Sequence, residues 1–357
     1  MNTILHAFDE IISPIQFKQH ALDLFKYQYE NNTVYRSYCD LINNANSEVT
    51  EVHEIPFLPI QFFKSHTVSC VSNAPDKIFL SSKTSGQIAS RHFVNDLKIY
   101  HKSFEKGFNK FYGSIEDYAI LALLPSYLER GNSSLVYMAN QLIHQSKHPL
   151  SGFYLDEWDQ LINILQTLEK EGQKTILLGV TFALLTLIEK KELNLNNTII
   201  METGGMKGMR KEMVREALHS SFKKGFGVKN IHSEYGMTEL MSQAYSKENG
   251  LYNCPPWMKV LIRSTDDPFE IVREEKTGAL NIIDLANIEQ SIKNDTLRPK
   301  LEAELETTLV QLDIAGENLK EMSPDDFSTF KKSEFIAAYS YVLEKSEANE
   351  GKTPMVP

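Results

Sequence analysis

Between Lys77 and Ile288 short apolar runs alternate with amphipathic stretches, and this alternation is the strongest constraint on what the chain can fold into. The runs KIFLSS, YAILALLP, KTILLGV, NTIIMET and VKNIHSEYG have the length and composition of strands, whereas the stretches around Trp158 to Leu168 and from Lys211 to Lys223 have helical spacing. Such alternation predicts an α/β fold, with parallel strands covered by helices and functional loops at the strands' carboxyl ends.

The flanks read differently. Ala21, Leu22, Phe25 and Tyr29 recur at helical spacing, so residues 1–60 are expected to be a helical segment packed on the main body. Pro56 and Pro59 in EIPFLPI exclude a central strand and mark an extended entry into a second unit, residues 61–288. Beyond it, Leu297, Leu301, Leu305, Leu309 and Leu312 form a stripe, and Ser323-Pro324-Asp325-Asp326 resembles a capped helix start. Residues 289–357 carry 14 acidic against 8 basic side chains, so an acidic helical tail is expected, with a frayed polar end and a face available for oligomer contacts.

Composition removes several function classes. With 37 basic and 47 acidic residues the net charge is −10, which disfavours a nucleic-acid binder needing a basic stripe. The three cysteines, Cys39, Cys70 and Cys254, include no CxxC pair, which argues against both a zinc site and a disulfide framework. The opening stretch MNTILHAFDEIISPIQF carries Asp9 and Glu10 where a signal peptide would be apolar, and a cytoplasmic location is expected. The longest uncharged apolar run, from Ile176 to Ile188, has 13 residues against the roughly 20 of a membrane span, so it reads as a buried strand or helix.

Three loops carry residue types suited to chemistry. In LSSKTSGQIASRH, Ser81, Ser82, Thr84, Ser85 and Gly86 can aim hydroxyls and main-chain N–H groups at one anion, with Lys83 and Arg91 adding positive charge; an ordinary turn is the alternative. In IMETGGMKGMR, Gly204 and Gly205 let a flat ligand approach the backbone before a helix start, or else make a tight strand-to-helix connection. In IHSEYGMTELMSQAY, Tyr235, Thr238 and Glu239 put an aromatic face, a hydroxyl and a carboxylate within five residues. That set suits a nucleotide ring, a phosphoryl oxygen and a Mg2+ ion, while His232 and Glu234 read as supporting or merely satisfied polar groups.

The order and spacing of these loops resemble the adenylate-forming ligases over roughly residues 60 to 288. More narrowly, LLPSYLERGNSSLVYM, METGGMKG, IHSEYGMTELMSQAY, PPWMKVLIR and GALNIIDLANI resemble the LuxE-type acyl-protein synthetases, the long-chain-fatty-acid luciferin-component ligases. The resemblance implies activation of a carboxylic acid by ATP to an acyl-AMP with loss of pyrophosphate, followed by acyl transfer to a thiol. It assigns Ser81, Ser82, Thr84, Ser85 and Gly86 to the triphosphate and Gly204 and Gly205 to the adenine pocket. Tyr235 and Gly236 would line adenine and the acyl carbonyl, Thr238 would touch phosphate, and Glu239 would hold Mg2+.

The sequence departs from the family pattern at two points. Lys83 stands at the first glycine of the family's Ser-Ser-Gly-Thr-Thr-Gly loop and Ser85 at its second threonine; a lysine is strained there if the position needs a positive φ, and the alternative is that its ammonium approaches a phosphate. No Thr-x-Asp segment for ribose follows GALNIIDLAN, which leaves Asp284 as a substitute ribose ligand or as a turn cap. Because no cysteine follows Cys254, acylation of a tail thiol is not expected, and Cys254 itself reads as a small buried residue. The leading reading is an acyl-adenylating synthetase acting on a fatty acid and served by an acyl-acceptor or acyl-donor protein. A phenylacetate-like coenzyme A ligase would differ in the acceptor, and a degenerate partner subunit would bind no nucleotide.

Overall fold

The uncharged run from Ile176 to Ile188 is divided between two elements in the computed structural model. Thr175–Val180 is a strand and Thr181–Lys190 a helix, and no residue intervenes between them. The structure describes residues 13–42, 49–70, 74–82, 88–124, 132–204, 210, 213–267, 269–272 and 277–287. The expected acidic tail, 289–357, lies outside them, as do Lys83, Thr84, Ser85, Gly86 and Gly205.

Two helices open the described chain, α1 (Pro14–Asn31) and α2 (Thr33–Ile42). Ser13 caps α1 by accepting from the Gln16 N–H, with Pro14 at the first helical position. Asn32 starts α2 by accepting from the Tyr35 N–H at 3.0 Å. The proline-bearing entry segment is held against α2 by tyrosine hydroxyls: Tyr35 donates to the Pro56 carbonyl at 2.6 Å and Tyr38 to that of Phe57 at 2.9 Å. A one-turn helix, α3 (Phe62–Ser65), follows.

Next come an antiparallel ribbon of β1 (Lys77–Leu80) and β2 (Arg91–Val94) and the long helix α4 (Leu97–Tyr112). The main sheet is built from β3 (Ala119–Leu123), β4 (Gly152–Phe153), β5 (Thr175–Val180), β6 (Thr198–Thr203), β7 (His232–Tyr235), β8 (Ala244–Ser246) and β9 (Tyr252–Asn253), in the order β4-β3-β5-β6-β7-β8-β9. Its helices are α5 (Ser134–Ser146), α6 (Trp158–Glu171), α7 (Thr181–Lys190) and α8 (Arg215–Phe226). The strands from β4 to β7 are parallel, as the alternation predicts, whereas β8 and β9 add antiparallel pairs at one edge. A second ribbon, β10 (Met258–Arg263) with β11 (Ala279–Asp284), closes the described chain.

Every residue of β3 and β5 is buried, so these apolar runs serve as core. The helix read over Lys211 to Lys223 begins later, at Arg215, because Val214 is extended, and it continues to Phe226 so that Leu218, Phe222 and Phe226 all face the core. No helix among the described residues is long and apolar enough to cross a membrane.

The loop-free junction of β5 and α7 depends on Gly179. A Cβ there would meet Leu184 Cδ2 at 2.7 Å, because the first turn of α7 folds Leu184 back onto the strand it has just left. Leu184 is fully buried and has no room to retreat. Gly179→Ala is therefore expected to lower unfolding stability by about 1–3 kcal/mol through overpacking, read as a lower urea midpoint at unchanged slope.

Candidate active site

The strand period places successive side chains on opposite faces, and the parallel register pairs Glu202 with Ser233 and Thr203 with Glu234. Two carboxylates thus reach the carboxyl ends of β6 and β7 on opposite faces of the sheet, in opposite environments.

Glu202 lies on the face covered by α7 and α8. Its Oε1 accepts from Ser233 Oγ at 2.9 Å and lies 3.1 Å from His219 Nε2 and 3.6 Å from Arg215 Nη1. Burial pushes its pKa upward, but His219, Ser233 and Arg215 outweigh that and hold it below the ordinary carboxylate value. Thr181, the first residue of α7, places its Oγ1 3.2 Å from Glu202 Oε2 and 2.6 Å from the Gly204 carbonyl, so its single proton goes to the nearer acceptor. This network fixes the point where the glycine-rich turn leaves β6.

Glu234 lies on the opposite face, toward Tyr100 and Tyr112 of α4, and is buried. Among the described residues its one side-chain hydrogen bond is the 2.5 Å contact in which Thr203 Oγ1 donates to Oε2. Its strand partner is Tyr245, and the phenols of Tyr100 and Tyr112 also feel its charge. Burial raises the Glu234 pKa to about 7, against a smaller lowering by Thr203. Gly236 makes room for this group, since a Cβ at 236 would come within 2.6 Å of Glu234 Oε1.

Beyond β7 the chain turns through Thr238 to Ser242 without a regular ladder, and side chains from elsewhere hold its main chain. His92 of β2 approaches the Thr238 carbonyl with Nδ1 at 2.6 Å, and Asn287 Nδ2 donates to the Glu239 carbonyl at 3.0 Å. Asp284 Oδ2 accepts from the N–H groups of Met241 and Ser242, at 2.8 and 2.9 Å. A carbonyl only accepts, so Nδ1 carries the proton. Burial lowers the His92 pKa to about 4, with the Thr238 carbonyl and the neighbouring Asn287 amide offsetting only part of it, so the ring is neutral near pH 7.

The sequence-derived site residues fall into three groups. Gly204, with φ of +64°, sits at the end of β6, and Tyr235, Gly236, Thr238 and Glu239 gather at the end of β7. Ser81 stands at the mouth of the β1–β2 hairpin, where its Oγ accepts from the Ser90 N–H at 2.8 Å, and Ser82 beside it is exposed. Through His92, which follows Ser90 by two residues, this hairpin is tied to the Thr238 turn. Asp284 stands apart: Oδ1 accepts from Ser242 Oγ at 2.6 Å and from the Ala286 N–H at 3.1 Å, so the buried carboxylate is saturated, the arrangement of a turn cap rather than of a ribose ligand. Cys254, read as buried, is half-buried, with its thiol pKa raised by burial.

Glu239 is a buried residue, and its carboxylate makes no hydrogen bond or ion pair among the described residues. No group of three or more His, Cys, Asp and Glu side chains able to hold a metal stands among those residues. A hard divalent cation fits this donor set only as Mg2+ is usually held, by a single carboxylate with phosphate and water oxygens completing its shell. Tyr235 sets its ring edge-on to Tyr252 with centroids 6.0 Å apart, and the Arg215 guanidinium lies 5.5 Å over Tyr252. The sequence motifs point to neither Arg215, Tyr252 nor His92. Only the burial alternation of β2, in which His92 and Val94 both face inward, carries a signal for His92.

The sequence profile of the family described as "Acyl-protein synthetase, LuxE" matches residues 6–291. The chain belongs to this family. Among solved structures, a 2-hydroxyisobutyryl-CoA ligase in the postadenylation state, in complex with R3-HIB-AMP, is similar with a TM-score of 0.54 at 10% identity over 79% of this chain. The LuxE-family chain covers 62% of that ligase, about three fifths of its length, and shares the fold of its adenylate-forming class. Two structures of O-succinylbenzoate coenzyme A synthetase from Bacillus subtilis are more distant. The complex with AMP has a TM-score of 0.40 at 14% identity, covering 58% of this chain and 40% of the synthetase. The complex with ATP and magnesium ion has a TM-score of 0.41 at 14% identity, covering 62% and 44%. Comparison with curated proteins finds no matching relative.

The Glu234 environment has a measurable consequence. An unfolded chain releases this proton near the ordinary value of 4.5, whereas the folded protein keeps it until about 7. Stability contributed by the protonated group is therefore full below the unfolded value and falls as pH rises to about 7, by about 3 kcal/mol in all. Glu234→Gln is expected to abolish that component of the slope, as read from urea unfolding at a series of pH values between 4 and 8.

Proposed function

We propose that this LuxE-family chain activates a carboxylic acid, best read as a fatty acid, with ATP to an acyl-AMP, and passes the acyl group to a thiol acceptor. The observation that carries the reading is the meeting of the Gly204 turn, Tyr235, Thr238 and Glu239 at the ends of two adjacent parallel strands, with the Ser81–Ser90 hairpin tied to the same turn by His92. Carboxyl ends of parallel strands are where α/β sheets bind ligands, and family membership supplies the reaction class.

In this reading the substrate carboxylate attacks the α-phosphorus of ATP in line, forming the acyl–phosphate bond as the bond to pyrophosphate breaks. Two anions must approach, so the site has to offset charge and hold geometry, and no protein nucleophile is required. The hairpin's hydroxyls and main-chain N–H groups and Thr238 would cradle the phosphates, while Tyr235 and the Gly204 turn would flank the adenine. Glu239 would hold Mg2+, which supplies charge neutralisation on the phosphate oxygens. Glu234, protonated up to about pH 7, adds no negative charge beside the nucleotide below that value. A thiol then displaces AMP, from a partner protein or from coenzyme A.

The test is ATP–pyrophosphate exchange with a panel of fatty and aromatic acids. Exchange that requires one class of acid, and that drops at least about a hundredfold in Glu239→Ala, is the expected outcome. No exchange with any acid, together with no ATP-induced rise in Tm, would sink the reading and favour a degenerate partner subunit. Offering the active acid with coenzyme A and with candidate acceptor proteins then separates the two thiol classes.

A further inference from the structure

The Thr238–Ser242 turn carries the two residues with the most direct roles in the proposed chemistry, yet it has no ladder of its own. Two successive carbonyls at its start are each held by one side chain, Thr238 by His92 and Glu239 by Asn287. The Asn287 end is anchored in turn, because its N–H donates to the Asp284 carbonyl at 3.0 Å and its carbonyl accepts from Gln28 of α1 at 3.4 Å. The His92 end is anchored by the β1–β2 ribbon, in which His92 pairs with Phe79 and which Ser81 and Ser90 close two residues earlier. His92 is 1% exposed, its ring is edge-on to Phe63 at 6.4 Å, and its Nε2 has no hydrogen-bond partner among the described residues. The imidazole is thus kept in the core at the cost of an unpaired acceptor, with its Nδ1 on the Thr238 carbonyl and the Asn287 amide beside the ring.

From this geometry we infer that His92 is a positioning residue, which locks the hairpin bearing the Ser81–Ser82 loop to the Thr238–Glu239 turn and so sets the reach of the Glu239 carboxylate for a divalent metal. The metal part rests on the adenylation reading above, whereas the tie itself does not. His92 touches neither substrate nor metal in this account. Its effect passes through one hydrogen bond to the main chain one residue before Glu239, the kind of outer support whose loss costs 10–100-fold in metal affinity or activity in metal sites.

The experiment compares His92→Phe with His92→Asn. Phenylalanine keeps a ring against Phe63 and removes the unpaired Nε2, so the fold is retained while the donor is lost. Asparagine returns a short N–H donor from the same strand position. Amide hydrogen–deuterium exchange over residues 236–242 should rise about tenfold or more in His92→Phe and return toward wild type in His92→Asn, with Tm moving by only a few degrees. In ATP–pyrophosphate exchange the half-saturating Mg2+ concentration should rise about tenfold in His92→Phe with the KM for the acid unchanged, and should recover in His92→Asn. Unchanged amide exchange in His92→Phe overturns the tie. Faster amide exchange with an unchanged Mg2+ requirement overturns the coupling to Glu239. No nucleotide exchange in the wild-type chain overturns the metal part together with the adenylation reading, and the amide measurement then still decides the tie on its own.

Discussion

A segment of main chain without a ladder must have its N–H and C=O groups satisfied by something else, and at residues 238–242 side chains do this. His92, Asn287 and Asp284 hold two carbonyls and two N–H groups there, His92 reaching in from β2 and the other two from the turn that ends β11. Unpaired, each of these groups would cost of the order of 1–3 kcal/mol in a buried place. The arrangement therefore selects one conformation of the turn. It also explains why GALNIIDLAN has to end where it does: Asp284 and Asn287 flank a tight turn whose own N–H, at Ala286, returns to Asp284. Ser242 extends the same knot, accepting from Trp257 Nε1 at 2.9 Å and sharing a 2.9 Å contact with Ser103 of α4. Three distinct sheets, the β1–β2 ribbon, the main sheet and the β10–β11 ribbon, which share one hydrophobic core, thus also meet on five residues of irregular chain.

The sheet beneath shows how one strand pair can keep two carboxylates in different charge states. Alternation sends Glu202 toward a histidine, an arginine and the Ser233 hydroxyl, where the anion is favoured, and sends Glu234 toward tyrosines and the Thr203 hydroxyl, where the neutral acid is favoured. Neither environment requires an unusual backbone, since the strand period and the identity of the covering helix suffice. Thr181, beside the ionised group, holds the carbonyl of Gly204, and the neutral group fills the space that Gly236 leaves open.

What could be read from the residues alone is the part governed by local periodicity. The parallel strands, the helix beginning at Trp158, the amphipathic α1 and the cluster at Tyr235–Glu239 all follow from runs and spacing within one or two turns of chain. The antiparallel edge was not legible, because β8 and β9 are three and two residues long and carry no alternation to detect. The division of the Ile176–Ile188 run was not legible either, since an uninterrupted apolar stretch gives a buried strand and a buried helix the same appearance. Asp284 shows a further boundary: its turn-cap role toward Ala286 is local, but its bonds to Met241 and Ser242 cross about 43 residues, and those saturate the group. His92 meets Thr238 across 146 residues, a pairing that no local pattern encodes.

The direct passage from β5 into α7 bears on how this region can vary in length. Most strand-to-helix connections contain a few loop residues that absorb an insertion or a deletion. Here none exists, so adding one residue after Val180 would rotate α7 by about 100° relative to the sheet. Leu184 would leave its seat on Gly179, and Thr181 would leave the Gly204 carbonyl that steadies the glycine turn. Length change at this junction is thus transmitted straight to the mouth of the site. In descendants of this chain, insertions should accumulate at other connections, while this one keeps its residue count even as its side chains drift.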